Sequence, residues 1–159
     1  DGALYPQELN WANRTNFHTS VTNNGFPSFN ALRYNDGLLF DDDGIRTGET
    51  KDWDVGDFAQ VDLGRQRRID TVTIVWDRDY WANAFSVQYS TDGVDFRNVP
   101  DPVGPTRYAG AGASEVTFTP VFARYVRVSD CAGGSGYSLL NQILVLGATP
   151  LYGTLLEIR

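Results

Sequence analysis

The sequence predicts an all-β domain, an antiparallel jelly-roll-like sandwich of about eight strands with very little helix. Three observations lead there. Apolar and polar residues alternate with a period of two in several segments. Turn signatures punctuate them, S-T-D-G at Ser90–Gly93 above all. The composition, with 16 glycines and 13% aromatic residues, suits a chain of short strands and many turns.

In chain order, the first segment is F-A-Q-V-D-L-G at Phe58–Gly64, followed by Thr71–Trp76. In the latter, Val72, Ile74 and Trp76 point one way and Thr71, Thr73 and Val75 the other. In Ala84–Ser90, Phe85, Val87 and Tyr89 share a face opposite Ser86, Gln88 and Ser90. The turn that follows needs a positive φ, which Gly93 supplies. Ala123–Asp130 (A-R-Y-V-R-V-S-D) and Asn141–Gly147 (N-Q-I-L-V-L-G) alternate as well. The expected core is Val61, Leu63, Val72, Ile74, Phe85, Val87, Val126, Val128, Ile143 and Val145. A slip of one residue would swap every face. Trp11 and Trp76 also read as core, and Trp53 as either core or rim.

At 159 residues the chain is long enough for one domain with one core. The module is expected over residues 1–147. Residues 148–159, A-T-P-L-Y-G-T-L-L-E-I-R, form an extension, either one more strand or a linker, with Pro150 and Gly153 interrupting any strand. The chain starts at Asp1 and contains no Met, as expected of a processed product or a module of a longer protein. No segment is apolar for long enough to span a bilayer, and none has the form of a signal peptide.

The net charge is −7, and Lys51 is the one lysine among 13 basic residues. That disfavours nucleic acid and anionic membrane as partners. A single cysteine, Cys131, excludes an internal disulfide. It reads as a packed thiol, because a nucleophile would want a histidine and His18 stands alone. Nothing catalytic is legible: G-x-S-x-G, H-E-x-x-H, a phosphate loop and zinc spacing are all missing. Asp41-Asp42-Asp43-Gly44 lacks the alternating spacing and terminal Glu of an EF-hand loop and reads as solvated acid.

The ordered set of D-G at Asp36-Gly37, Trp53, V-D-L-G, I-D-T-V-T-I, S-T-D-G-V-D-F, A-R-Y-V-R-V and a last strand closing on Gly147 resembles the discoidin, or coagulation factor type C, domain. It is most similar to the family 32 carbohydrate-binding modules among the galactose-binding-domain-like sandwiches. The resemblance spans roughly Asn30–Gly147 and implies a non-catalytic, secreted or cell-surface carbohydrate-binding module, lectin-like, attached to a larger glycoside-active protein. Its rivals are a discoidin-type adhesion domain that binds protein or lipid, and a structural domain bracing a catalytic neighbour.

The resemblance also implies a structural Ca²⁺ held by Asp36 and Gln142, with the carbonyls of Arg33 and Leu39 and with Thr47 or Thr50 beside them. Calcium takes six to eight oxygens, and this loop offers carboxylate, hydroxyl and carbonyl donors. Gln142 stands where the family carries an acid, which lowers the charge of the site. Alternatively, Asn35-Asp36-Gly37 is only a turn.

The candidate sugar site is the loop Asp77–Asn83, D-R-D-Y-W-A-N. An aromatic ring covers the apolar face of a pyranose, and an arginine fork and an amide take paired hydroxyls. Arg78, Tyr80, Trp81 and Asn83 supply these in one short junction. Tyr80 and Trp81 are adjacent, so at least one is expected to be exposed. The loop Cys131–Ser138 contributes Tyr137, and Trp53 borders the same pocket in the resembling family. The alternative is that Trp81 and Tyr137 merely cap the core.

Overall fold

The computed structural model describes residues 12, 20–24, 49–50, 58–76, 81–108, 112–132 and 138–147. Eight strands and no helix occur among them: β1 (Ser20–Asn24), β2 (Glu49–Thr50), β3 (Phe58–Trp76), β4 (Ala84–Ser90), β5 (Arg97–Asn98), β6 (Val103–Tyr108), β7 (Ala113–Ala132) and β8 (Ser138–Leu146). The extension 148–159 lies outside the described residues.

The framework is one long antiparallel pair, β3 against β7, that bends in the middle and serves both layers. Phe58–Asp62 pairs with Tyr125–Ser129, while Thr71–Val75 pairs with Ala113–Thr117. The first layer adds β1 beside β3 and β4 then β5 beside β7. The second adds β8 then β2 beside β3, and β6 beside β7. Every pairing is antiparallel.

The bend is written in V-D-L-G. The ladder breaks between Asp62 and Arg67 and again between Ile69 and Thr71. Gly64 takes φ 75°, a conformation that costs glycine little. Its N–H donates to Asp62 Oδ1 at 2.8 Å. Arg124 clamps the same carboxylate, Nε to Oδ1 at 2.9 Å and Nη2 to Oδ2 at 3.0 Å. Burial pushes the Asp62 pKa up, but the Arg124 and Gly64 hydrogen bonds outweigh it, and the net shift is downward. Leu63 turns inward at the corner and is fully buried.

A single core joins the layers. Of the ten residues expected inside, nine are buried, and Phe85 is half-buried against them. Trp76 and Phe85 meet edge to face across the layers, their centroids 5.7 Å apart at 63°. The Trp76 indole N–H donates to the Ser114 hydroxyl at 3.1 Å, which satisfies the one polar atom of a fully buried ring. Gly93 has the positive φ the turn demands, 81°. The turn is closed by Ser90 Oγ, which accepts from the N–H groups of Asp92 and Gly93. Asp92 Oδ1 accepts from Val94 and Asp95.

Two strands run further than alternation alone suggests. β3 continues through the bend as one strand, and β7 begins at Ala113 and reaches Ala132. The expected loop Cys131–Ser138 is therefore shorter at both ends, because Cys131, Ala132 and Ser138 are strand residues.

Candidate functional site

The end of the sandwich remote from the bend is assembled by three strand termini. β3 ends at Trp76, whose N–H donates to the Gly112 carbonyl at 2.6 Å. β4 begins at Ala84, paired with Ala132 at the end of β7. The Asn83 N–H donates to the Ala132 carbonyl at 3.0 Å. The entry into β4 is thus fastened to the end of β7.

Of the residues expected to hold a sugar, Trp81 and Asn83 are described, while Arg78, Tyr80, Tyr137 and Trp53 lie outside the described residues. Trp81 is half-buried and packs against the core, with Ala82 beside it fully inside. Its ring therefore has an anchored part and an open part. The indole N–H donates to Asn83 Oδ1 at 3.1 Å. That bond fixes the Asn83 amide, which is exposed, and directs its Nδ2 donors away from the ring. Ring and amide form a rigid pair rather than two independent groups.

Cys131 is buried beside this end, and burial, with the Asp130 charge next to it, pushes the thiol far above its ordinary value. Both effects disfavour the thiolate form.

Of the expected cation ligands, Gln142 is described, and Arg33, Asp36, Leu39 and Thr47 lie outside. Gln142 is fully buried on the outward side of β8, opposite Val75. β2 pairs Glu49 with Leu139 and Thr50 with Ser138, which lays the end of the expected cation loop against the same strand. Among the described residues, no group of three or more acidic, histidine or cysteine side chains converges on one point.

Reasoning from the sequence missed the outward face of the first layer. There Arg127 is stacked between Phe58 and Phe96, its guanidinium carbon 3.8 Å and 3.6 Å from the two ring centroids. Gln60 Oε1 accepts from both Nε and Nη2 of Arg127. The visible signal was that Arg127 alternates with the core residues Val126 and Val128. Its partners come from β3 and from the turn before β5, and could not be read from one segment.

A bent β-pair shared by two layers, with the start of β4 fastened to the end of β7, makes a galactose-binding-like β-sandwich. The chain belongs to the F5/8 type C, or discoidin, domain family, whose model matches residues 14–142. Among solved structures it is similar to chitosan-binding module 1 of a chitosanase/glucanase from Paenibacillus sp. IK-5, with 24% identity, a TM-score of 0.62 and coverage of 87% of this chain and 98% of that one. It is also similar to a CBM32 module from Clostridium perfringens in complex with GalNAc-β-1,3-galactose, at 14% identity, TM-score 0.57, covering 81% of this chain and 95% of that one. A further match is SpGH29, at 20% identity and TM-score 0.63, where 90% of this chain corresponds to 29% of the larger one. No curated protein matches the chain.

Proposed function

We propose that this domain is a non-catalytic carbohydrate-binding module of a secreted or cell-surface protein, and that it holds an attached glycoside-active partner near polymeric glycan. The observation that carries this reading is the fastened loop end, where Asn83 is tied to Ala132 and to the Trp81 indole. The family assignment supports it, as do relatives of the same fold that bind chitosan or carry GalNAc-β-1,3-galactose.

In this reading Trp81 or Tyr80 covers a sugar ring, Arg78 and Asn83 hold its hydroxyls, and Tyr137 and Trp53 line the remaining wall. Because Trp81 and Asn83 already hold each other, little side-chain entropy is lost on binding. Affinity in the millimolar to micromolar range, about −4 to −8 kcal/mol, suffices, since tethering multiplies it through effective concentration.

Calcium belongs to the same proposal as a structural ion. Gln142 offers a buried amide oxygen, and Asp36 with the carbonyls of Arg33 and Leu39 and the Thr47 hydroxyl would complete the ligands. The ion would supply fold stability and no chemistry.

A glycan array on the isolated domain, followed by calorimetry on Trp81→Ala, Tyr80→Ala and Arg78→Ala, tests the reading. We expect one of the two ring truncations to remove most binding, and Arg78→Ala to change selectivity among sugars. If all three folded variants bind as the wild type does, the site lies elsewhere. Failure of the wild type to bind any glycan would hand the lead to the adhesion or bracing role.

A further inference from the structure

The bend lies at the opposite end of the sandwich from Trp81 and Asn83, and it carries a different surface. The segment Arg65-Gln66-Arg67-Arg68 crosses from the first layer to the second there. Arg65, Gln66 and Arg68 are exposed and Arg67 is partly so. Arg68 stands directly opposite Phe122 in the β3–β7 ladder. Residues opposite one another in an antiparallel pair share a face with their Cβ atoms about 5 Å apart. Phe122 is 63% exposed, an unusual position for a phenylalanine in the middle of a strand.

Arg124, two residues beyond Phe122, is committed to Asp62 through two hydrogen bonds. Asp70, the carboxylate nearest Arg68 along the chain, accepts from the Thr71 hydroxyl at 3.0 Å. Among the described residues neither Arg65 nor Arg68 makes an ion pair. The Arg67 guanidinium pKa is lowered, by burial first and then by the charge of Arg65. All this occurs on a chain with net charge −7.

We propose that Arg65, Arg68 and Phe122 form a second glycan-binding surface, one that takes chains of uronic acid. A guanidinium fork matches a carboxylate in two parallel hydrogen bonds, and a point charge would not. An exposed ring beside it covers the C–H face of the pyranose that bears the carboxylate. The cross-strand spacing of about 5 Å is the scale of one hexuronate unit, so ring and fork engage one sugar together. The acidic remainder of the chain repels a polyanion, which confines it to this end and makes its binding sensitive to salt. The inference rests on the reading of the domain as a glycan binder but not on its loop site.

The test measures retention of the full chain by polygalacturonate, by a neutral galactan and by polyglutamate, at low and high salt. The variants are Arg65→Gln with Arg68→Gln, Phe122→Ser, and Trp81→Ala, each with a melting curve. The wild type is expected to bind polygalacturonate, more weakly at high salt. The double Gln variant and Phe122→Ser should each lose about tenfold or more with unchanged melting, and Trp81→Ala should keep this binding. No binding of polygalacturonate by the wild type, or undiminished binding by the double Gln variant, overturns the proposal. Equal retention on polyglutamate with no effect of Phe122→Ser also overturns it, in favour of general attraction for acidic chains. Loss of array binding with polygalacturonate binding intact would remove the loop reading and leave this one standing.

Discussion

The outward faces of the two layers come from the same alternating pattern and meet different fates. On the first layer one row runs Asn98, Gln88, Arg127, Gln60 across β5, β4, β7 and β3. It is tied by the Gln88 amide donating to Asn98 Oδ1 at 3.3 Å and by the stacked Arg127. On the second layer the corresponding residues, Thr73, Val75, Gln142 and Leu144, are fully buried. The first layer has a core face and a surface face; in the second, the central strands β3 and β8 are buried on both, while β6 at its edge is exposed. A polar row that keeps contact with water is held by directional contacts of modest strength. A doubly buried layer is held by exclusion of water, and each polar atom in it must be satisfied. Changes in the second layer should therefore cost more.

The largest effect is expected for Trp76→Ala, which empties the space between the layers and orphans the Ser114 hydroxyl. The loss should be about 3–5 kcal/mol in denaturant unfolding. Trp76→Phe should recover most of the packing and isolate the cost of the hydrogen bond.

Gln142→Glu sharpens the comparison through the proposed ion. A carboxylate buried on the doubly covered layer is expected to cost about 2–3 kcal/mol in chelator. Calcium should restore the midpoint, since a ligand bound only by the native state stabilises it. A variant equally destabilised with and without calcium would reduce the Asp36 region to a turn.

Gly147→Ala attacks the place where β8 meets the bend. An added Cβ would sit 1.9 Å from the Arg68 carbonyl oxygen, backbone against backbone, with no rotamer to relieve it. The expected loss is about 1–3 kcal/mol, read as a lower melting temperature.

On the first layer, Arg127→Met keeps an apolar filler between Phe58 and Phe96 but removes the cation and its bonds to Gln60. About 1 kcal/mol should be lost, less than for any second-layer change. If it exceeds Gln142→Glu in chelator, the contrast between the faces fails.

The smallest effect is acid sensitivity at the β4–β5 turn. The Val94 and Asp95 N–H groups, then the Ser90 hydroxyl, hold the Asp92 pKa down from 3.8 to about 2. A depressed carboxylate contributes stability that is present above its unfolded pKa and is lost as pH falls through the folded one. The wild type should lose a small increment between pH 3.8 and 2, and Asp92→Asn should flatten that part of the melting profile.

The segments Phe58–Gly64, Thr71–Trp76, Ala84–Ser90, Ala123–Asp130 and Asn141–Gly147, their inward faces and the Gly93 turn were legible because each depends on a period of two or on one backbone angle, whereas β1, β2, β5, β6 and the start of β7 were not. The bend was half legible: V-D-L-G was visible as a motif, but its meaning needed Arg124, which folds back from 62 residues away to hold Asp62. The anchoring of Trp81 was not legible. Adjacent rings in a loop fix only that they diverge, and which one leans on the core depends on the layer beneath. Gln142 read as a weakened ligand, whereas its complete burial on the outward side of β8 is a property of what packs over that layer.

The sequence by itself determined the longer alternating strands, the inward residues they carry and the family, since side-chain alternation and glycine conformations are local consequences of residue type. Tertiary structure alone decided that one β-pair serves both layers, that the start of β4 is tied to the end of β7, and that Arg68 and Phe122 face each other at the far end. The reason is physical: antiparallel pairing joins residues tens of positions apart, and only the register of that pairing, set by the bulges at the bend, fixes which side chains meet.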